Sequence, residues 1–107
     1  MQNLAPADLA HRLTLADRPA PLLLDVREPW EFAHCHIAGS LPMPMASVPA
    51  RIEELDPETE IVVVCHHGMR SAQVAMFLER QGFSQVFNLT GGVAAWAAEV
   101  DPAMPRY

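Results

Sequence analysis

Two short runs of consecutive apolar residues dominate the hydrophobic pattern of this chain. Residues 22–26 are apolar apart from one acid and lie between prolines, and residues 61–64 read Ile-Val-Val-Val. Uninterrupted runs of this length are typical of strands buried on both faces of a parallel sheet. Residues 83–89 alternate apolar and polar positions, which predicts a further strand.

Helical spacing separates these strands. Residues 71–81 place apolar side chains on one face and polar ones on the other, and Gly82 follows at the position where helices often end. Pro6 begins a second helical pattern, as suits a proline in a first turn. Shorter helices are predicted over residues 48–55 and around Trp96.

Residues 30–49 predict mostly loop, because Gly39 and three prolines interrupt the segment; a turn of helix is predicted only at residues 30–33. Strands that alternate with helices indicate an α/β fold. We therefore expect a mainly parallel central sheet flanked by helices on both faces. A length of 107 residues suits one domain, which we expect to span residues 1–107.

Composition and charge narrow the function classes. Half of the residues are hydrophobic and 19% are charged, as in globular proteins. The net charge of −6 argues against nucleic acid as a partner. All seven basic residues are arginine, which excludes Schiff-base chemistry on a lysine. No stretch has the leader or membrane-span pattern, so we expect a cytoplasmic protein without a membrane partner, whose two cysteines stay reduced.

The candidate chemistry lies where the second apolar run ends. Cys65 follows the predicted strand directly, and it therefore reaches the crevice in which open α/β sheets bind ligands. A tight strand-to-helix loop can direct its N–H groups and the positive end of the helix at an anion. Cys65 is thus the candidate catalytic nucleophile. The candidate substrate-binding residues are those that follow it: His66, His67, Gly68, Met69, Arg70 and Ser71.

Residues of these types can also have two other roles. A cysteine at the end of a core strand can simply be a small buried hydrophobe. The nearby histidines and cysteines are residue types that zinc accepts, but their spacings match no common zinc pattern. We therefore expect neither a metal nor a cofactor.

The string from Cys65 to Ser71 resembles the active-site loop of rhodanese-like sulfurtransferases. Residues 24–32 with 36–40 are similar to the first signature of that family, and residues 88–92 with Trp96 to its last. The resemblance runs from about residue 22 to 96, in the family's order. The sequence departs from the family at Cys35, where glycine is usual, and at His66, where some thiosulfate-using members carry a further basic residue.

The resemblance implies a sulfurtransferase in which Cys65 is loaded as a persulfide. The sulfur donor is then a small molecule such as thiosulfate or a persulfide. The acceptor is a thiol or cyanide, with an acceptor protein as an alternative. In this scheme the loop N–H groups hold the persulfide, while Arg70 either orients the donor or holds the loop. Oligomeric state is left open.

Two alternatives stand beside this hypothesis. The first is a non-catalytic rhodanese-like module used for binding or sensing, because fold does not fix function. The second is a cysteine-dependent phosphatase, which uses a similar loop but has five residues between its cysteine and arginine. Only four residues separate Cys65 from Arg70, so the spacing favours sulfur over phosphate.

The remaining distinctive residues have structural interpretations. Asp25 and Arg27, at the end of the first predicted strand, are expected to hold neighbouring loops by charge-assisted hydrogen bonds. Trp30, Phe32 and Trp96 are expected to be packing aromatics rather than platforms for a substrate. Cys35 is either a bystander or a resolving thiol for Cys65.

Overall fold

Five parallel strands form a single sheet in the order β1-β5-β4-β2-β3. The structure, a computed structural model, describes all 107 residues. The elements follow one another along the chain as β1 (Gln2–Leu4), α1 (Pro6–Thr14), β2 (Leu22–Asp25), α2 (Pro29–His34), β3 (Leu41–Pro42), α3 (Val48–Arg51), β4 (Ile61–Val64), α4 (Met69–Arg80), β5 (Val86–Leu89) and α5 (Gly92–Glu99).

Strand β4 lies at the centre of the sheet, between β2 and β5, and all four of its residues are buried. One face of the sheet packs against α3 and α4 through residues such as Val74 and Leu78. The other face packs against α1 and α5 through residues such as Leu9 and Trp96. The prediction of a parallel sheet with helices on both faces is therefore confirmed.

Several element boundaries differ from the prediction. The strands β1 and β3 were not predicted, because edge strands of three and two half-exposed residues carry no readable hydrophobic period. The predicted helix over 48–55 is the single turn α3 with 3₁₀ turns on either side, at Met45–Ser47 and Ile52–Glu54. Strand β5 begins at residue 86 rather than 83, since the N–H of Phe83 still bonds to a carbonyl at the end of α4. None of the helices is long and apolar enough to cross a membrane.

Candidate active site

Cys65 lies just beyond the central strand β4, at the end of the sheet formed by the carboxyl ends of the parallel strands. Its side chain is 1% exposed. The sulfur accepts a hydrogen bond from the N–H of Gly68 at 3.0 Å and lies 3.2 Å from the hydroxyl of Ser71. Gly68 has φ +104°, a conformation that L side chains rarely adopt. The loop between β4 and α4 thus bends back on the sulfur, as a glycine at this position allows.

The first turn of α5 holds the opposite side of the loop. The N–H of Val93 donates to the carbonyl of Cys65 at 2.9 Å, and the N–H of Ala94 donates to that of His66 at 3.0 Å. In a trans peptide the next N–H points away from the carbonyl. The N–H groups of His66 and His67 therefore point away from α5, to the side on which the Cys65 sulfur packs beside α4.

Arg70 is fixed by an ion pair with Glu31 of α2. Its two terminal nitrogens donate to the two carboxylate oxygens at 2.7 and 2.9 Å. Glu31 is buried and also accepts from the Tyr107 hydroxyl and from the N–H of Glu28. The hydrogen bonds from Arg70 lower the pKa of Glu31 to about 2. Of the two predicted roles of Arg70, this geometry favours holding the loop, because both terminal nitrogens of the guanidinium already donate to a carboxylate of the protein.

A second ion pair, between Arg27 and Asp25, lies deeper and is fully buried. The guanidinium donates to the Asp25 carboxylate at 2.9 and 2.7 Å and to the carbonyl of Cys35 at 2.7 Å. The predicted loop-holding role of Asp25 and Arg27 is confirmed. Cys35 has an extended backbone with φ −162°, which any residue adopts, so the family's usual glycine is not needed here. Its sulfur lies 3.9 Å from Arg27 Nη1.

Three aromatic rings stack along the outer side of the loop. His66 lies between His67 and Tyr107, with both centroid distances 4.0 Å. Burial, together with the neighbouring His67, lowers the pKa of His66. A cavity of about 140 Å³ lies beside this stack, and Cys35 and α5 form its other walls. This cavity is on the α5 side of the loop, whereas the Cys65 sulfur faces α4.

The predicted substrate-binding residues therefore occupy different positions. Gly68 and Ser71 are buried and contact the Cys65 sulfur. His67 and Met69 are exposed on the loop surface, Met69 by 77%.

Sequence reasoning missed three residues that support the loop. Asn88 of β5 accepts a hydrogen bond from the Ser71 hydroxyl and so connects Cys65 to the neighbouring strand. An asparagine in an otherwise apolar strand was a usable signal. Glu31 could have been noticed because Glu28 and Glu31 have capping-box spacing, and that motif is present. Nothing in the sequence pointed to Tyr107.

The predicted packing aromatics behave differently. Phe32 is half-buried and stacks on the His36 ring. Trp96 is 7% exposed and packs in the core as predicted. The prediction for Trp30 is wrong, since this side chain is 63% exposed and touches only the edge of Tyr107 among the aromatic rings. In the six-residue helix α2 the one buried position belongs to Glu31, which turns Trp30 to the surface.

Fold and site together define an α/β domain with a cysteine-containing loop at the end of its central parallel strand. The profile of the rhodanese-like domain matches residues 6–99, and the chain belongs to the rhodanese-like domain family. A sulfurtransferase of Allochromatium vinosum is 41% identical to this chain, over an aligned region that covers 78% of each protein. The thiosulfate sulfurtransferase GlpE of Pseudoalteromonas translucida is 33% identical to this chain, and the aligned region covers 92% of this chain and 93% of GlpE. The crystal structure of a rhodanese-related protein from Thermoplasma volcanium superimposes with a TM-score of 0.83 at 31% identity, over 94% of both chains.

The ion pair of the buried Glu31 with the partly exposed Arg70 makes the stability of the fold depend on pH in the acid range. The pKa of Glu31 in the fold is about 2, below its ordinary value of 4.5, so its contribution is present above pH 4.5 and is lost as pH falls towards 2. We expect Glu31→Gln to lower the free energy of unfolding at pH 7 by about 1–3 kcal/mol. Urea unfolding at pH 7 and at about pH 3 should show this difference shrinking, because at pH 3 Glu31 is protonated in the unfolded chain while it is still mostly charged in the fold.

Glu54→Gln is the matched control, because Glu54 also pairs with an arginine, Arg51, but on the exposed surface. Solvent screening makes such pairs weak, so this variant should hardly differ from wild type at pH 7. A Glu31→Gln deficit of the same size at both pH values would show that the charge of Glu31 is not what stabilises the fold.

Proposed function

We propose that this protein is a sulfurtransferase that carries a sulfane sulfur as a persulfide on Cys65. The observation that carries the proposal is the hydrogen bond from the Gly68 N–H to a buried Cys65 sulfur, at the edge where parallel sheets bind ligands. Family relatives named sulfurtransferase and thiosulfate sulfurtransferase support it.

The reaction has two steps, each of which exchanges one bond to sulfur. In the first, the Cys65 thiolate attacks the sulfane sulfur of a donor such as thiosulfate. The sulfur–sulfur bond of the donor breaks, and sulfite leaves with the bonding electrons. In the second, an acceptor thiolate or cyanide attacks the outer sulfur of the Cys65 persulfide. The Cys65 thiolate is thereby released, and the scheme needs no cofactor.

The loop stabilises the negative charge that sulfur carries in both steps. The N–H of Gly68 already points at the Cys65 sulfur, and those of His66 and His67 point to the same side of the loop. Amides fixed in this way stabilise a developing anion without rearranging during the reaction. The pair of Arg70 with Glu31 supports this function indirectly, because it fixes the beginning of α4 where the loop ends.

Mass spectrometry of the intact protein tests the proposal. After incubation with thiosulfate, a thiosulfonate, mercaptopyruvate or a low-molecular-weight persulfide, we expect at least one donor to add a single sulfur atom, which peptide mapping then assigns to Cys65. The Cys35→Ser variant keeps the candidate nucleophile and removes the other thiol, so it should load to the same extent.

Two outcomes would contradict the proposal. If none of the donors loads Cys65, the chain acts as a binding or sensing module. If the protein instead hydrolyses an aryl phosphate, and loses this activity on replacement of Cys65, the phosphatase alternative is correct.

A further inference from the structure

Tyr107 is connected to both ends of the active-site loop, directly at His66 and through Glu31 at Arg70. Its ring stacks on His66, the residue after Cys65, with an interplanar angle of 16°. Its hydroxyl donates to Glu31 Oε2 at 2.8 Å, and the same carboxylate grips Arg70 at the beginning of α4. Gly68, whose N–H donates to the Cys65 sulfur, lies between these two points.

The ring contact matters because α5 holds the backbone of His66 but leaves a cavity beside its side chain. The cavity of about 140 Å³ beside His66 is large enough to admit water. Close packing normally fixes side chains in one position, and it is absent here. The stack on Tyr107 is therefore a principal restraint on the His66 side chain, and it acts next to the peptide that carries the His66 N–H.

The hydroxyl of Tyr107 joins the two ion pairs into one network. It accepts from Arg27 Nη1 at 2.9 Å while it donates to Glu31. Burial raises the pKa of Tyr107 to about 12, so the hydroxyl keeps its proton, and this donation, throughout the neutral range. Arg27 in turn is anchored on Asp25 at the end of β2, which ties the position of Tyr107 to the central sheet.

We propose that Tyr107 is a positioning residue for sulfur transfer, which keeps the loop amides directed at the Cys65 sulfur by stacking on His66 and by bonding to Glu31. This inference rests on the proposed function, since it concerns the same loop. Tyr107 takes no part in bond making; it acts through His66 and through the Glu31–Arg70 pair.

The test compares Tyr107→Ala with Tyr107→Phe, in transfer from thiosulfate to cyanide or from whichever donor loads Cys65. Displacing a reacting group by about 1 Å can cost on the order of 10²-fold in rate. We expect Tyr107→Ala to lower kcat by roughly 10- to 100-fold with little change in KM. Tyr107→Phe keeps the stacked ring but loses the bond to Glu31, so it should recover part of this loss. Trp30→Ala is the matched control, because Trp30 touches the Tyr107 ring edge-on and makes no hydrogen bond to the loop; its kcat should equal that of wild type.

A second readout follows the His66 imidazole by NMR titration, which requires no activity. In Tyr107→Ala water reaches the ring, so the lowered pKa of His66 should rise towards its ordinary value; in Tyr107→Phe it should stay low. A wild-type kcat in Tyr107→Ala overturns the inference. An equal loss of kcat in both variants refutes the role of the ring and leaves the hydroxyl bond to Glu31 as the restraint. If wild type itself transfers no sulfur, the proposed function fails, whereas an unchanged His66 titration in Tyr107→Ala refutes the stacking restraint alone.

Discussion

Cys65→Ser is expected to abolish sulfur transfer, lowering kcat/KM by on the order of 10⁴-fold or more, as loss of a nucleophile does in other enzymes. A serine hydroxyl is a poor nucleophile unless a neighbouring base takes its proton. The groups that form hydrogen bonds with the Cys65 sulfur are the N–H of Gly68 and the hydroxyl of Ser71, and neither is such a base. Serine differs from cysteine by one atom, so circular dichroism and the melting temperature should show that the fold is retained.

The matched control for this substitution is Cys35→Ser, which removes the other buried thiol. The Cys35 sulfur accepts a hydrogen bond from Arg27 Nη1 and forms none with the loop that follows β4. The variant should therefore retain most of the wild-type kcat/KM. Steady-state transfer to cyanide measures both variants. Full activity in Cys65→Ser would disprove the assignment of the nucleophile, and a comparable loss in Cys35→Ser would mean that both thiols take part.

Gly92→Ala is expected to damage both the fold and the site. A Cβ added at Gly92 would lie 2.2 Å from the carbonyl oxygen of Cys65 and 2.4 Å from that of His66. These are backbone atoms, and they cannot move without displacing the loop. Gly92 also has φ +59°, which costs an L residue roughly 1–2 kcal/mol. We expect the free energy of unfolding to fall by about 3 kcal/mol or more, and the remaining folded protein to transfer sulfur poorly.

Gly82→Ala separates the clash from the cost of the conformation. Gly82 has φ +96°, but a Cβ there would meet nothing within 4 Å. Gly82 follows α4 at the end of the sheet opposite Cys65. This variant should therefore lose about 1–2 kcal/mol of unfolding free energy and keep its kcat. Urea unfolding and transfer kinetics on both variants check the prediction. Equal destabilisation by the two substitutions would show that the contact of Gly92 with the loop carbonyls is unimportant.

The sequence by itself determined the centre of the fold and the place of the reactive thiol. Strand β4 was readable from its uninterrupted apolar run and helix α4 from its helical spacing, and both patterns are local properties of the chain. A thiol directly after a buried strand must emerge at the ligand-binding edge of a parallel sheet, so the position of Cys65 followed from the same pattern. Strands β1 and β3 escaped because short edge strands are too exposed to show a period.

Only the tertiary structure decided what holds the loop around that thiol. The partner of Arg70 is Glu31, 39 residues away, and Glu31 in turn meets Tyr107 across 76 residues. A hydrophobic pattern states whether a position is buried but not which distant side chain it meets, because pairing depends on how the strands and helices pack. For this reason Trp30 is exposed although it was predicted to pack. Tyr107 was not singled out by the sequence, yet its hydroxyl forms hydrogen bonds with both ion pairs that support the active-site loop.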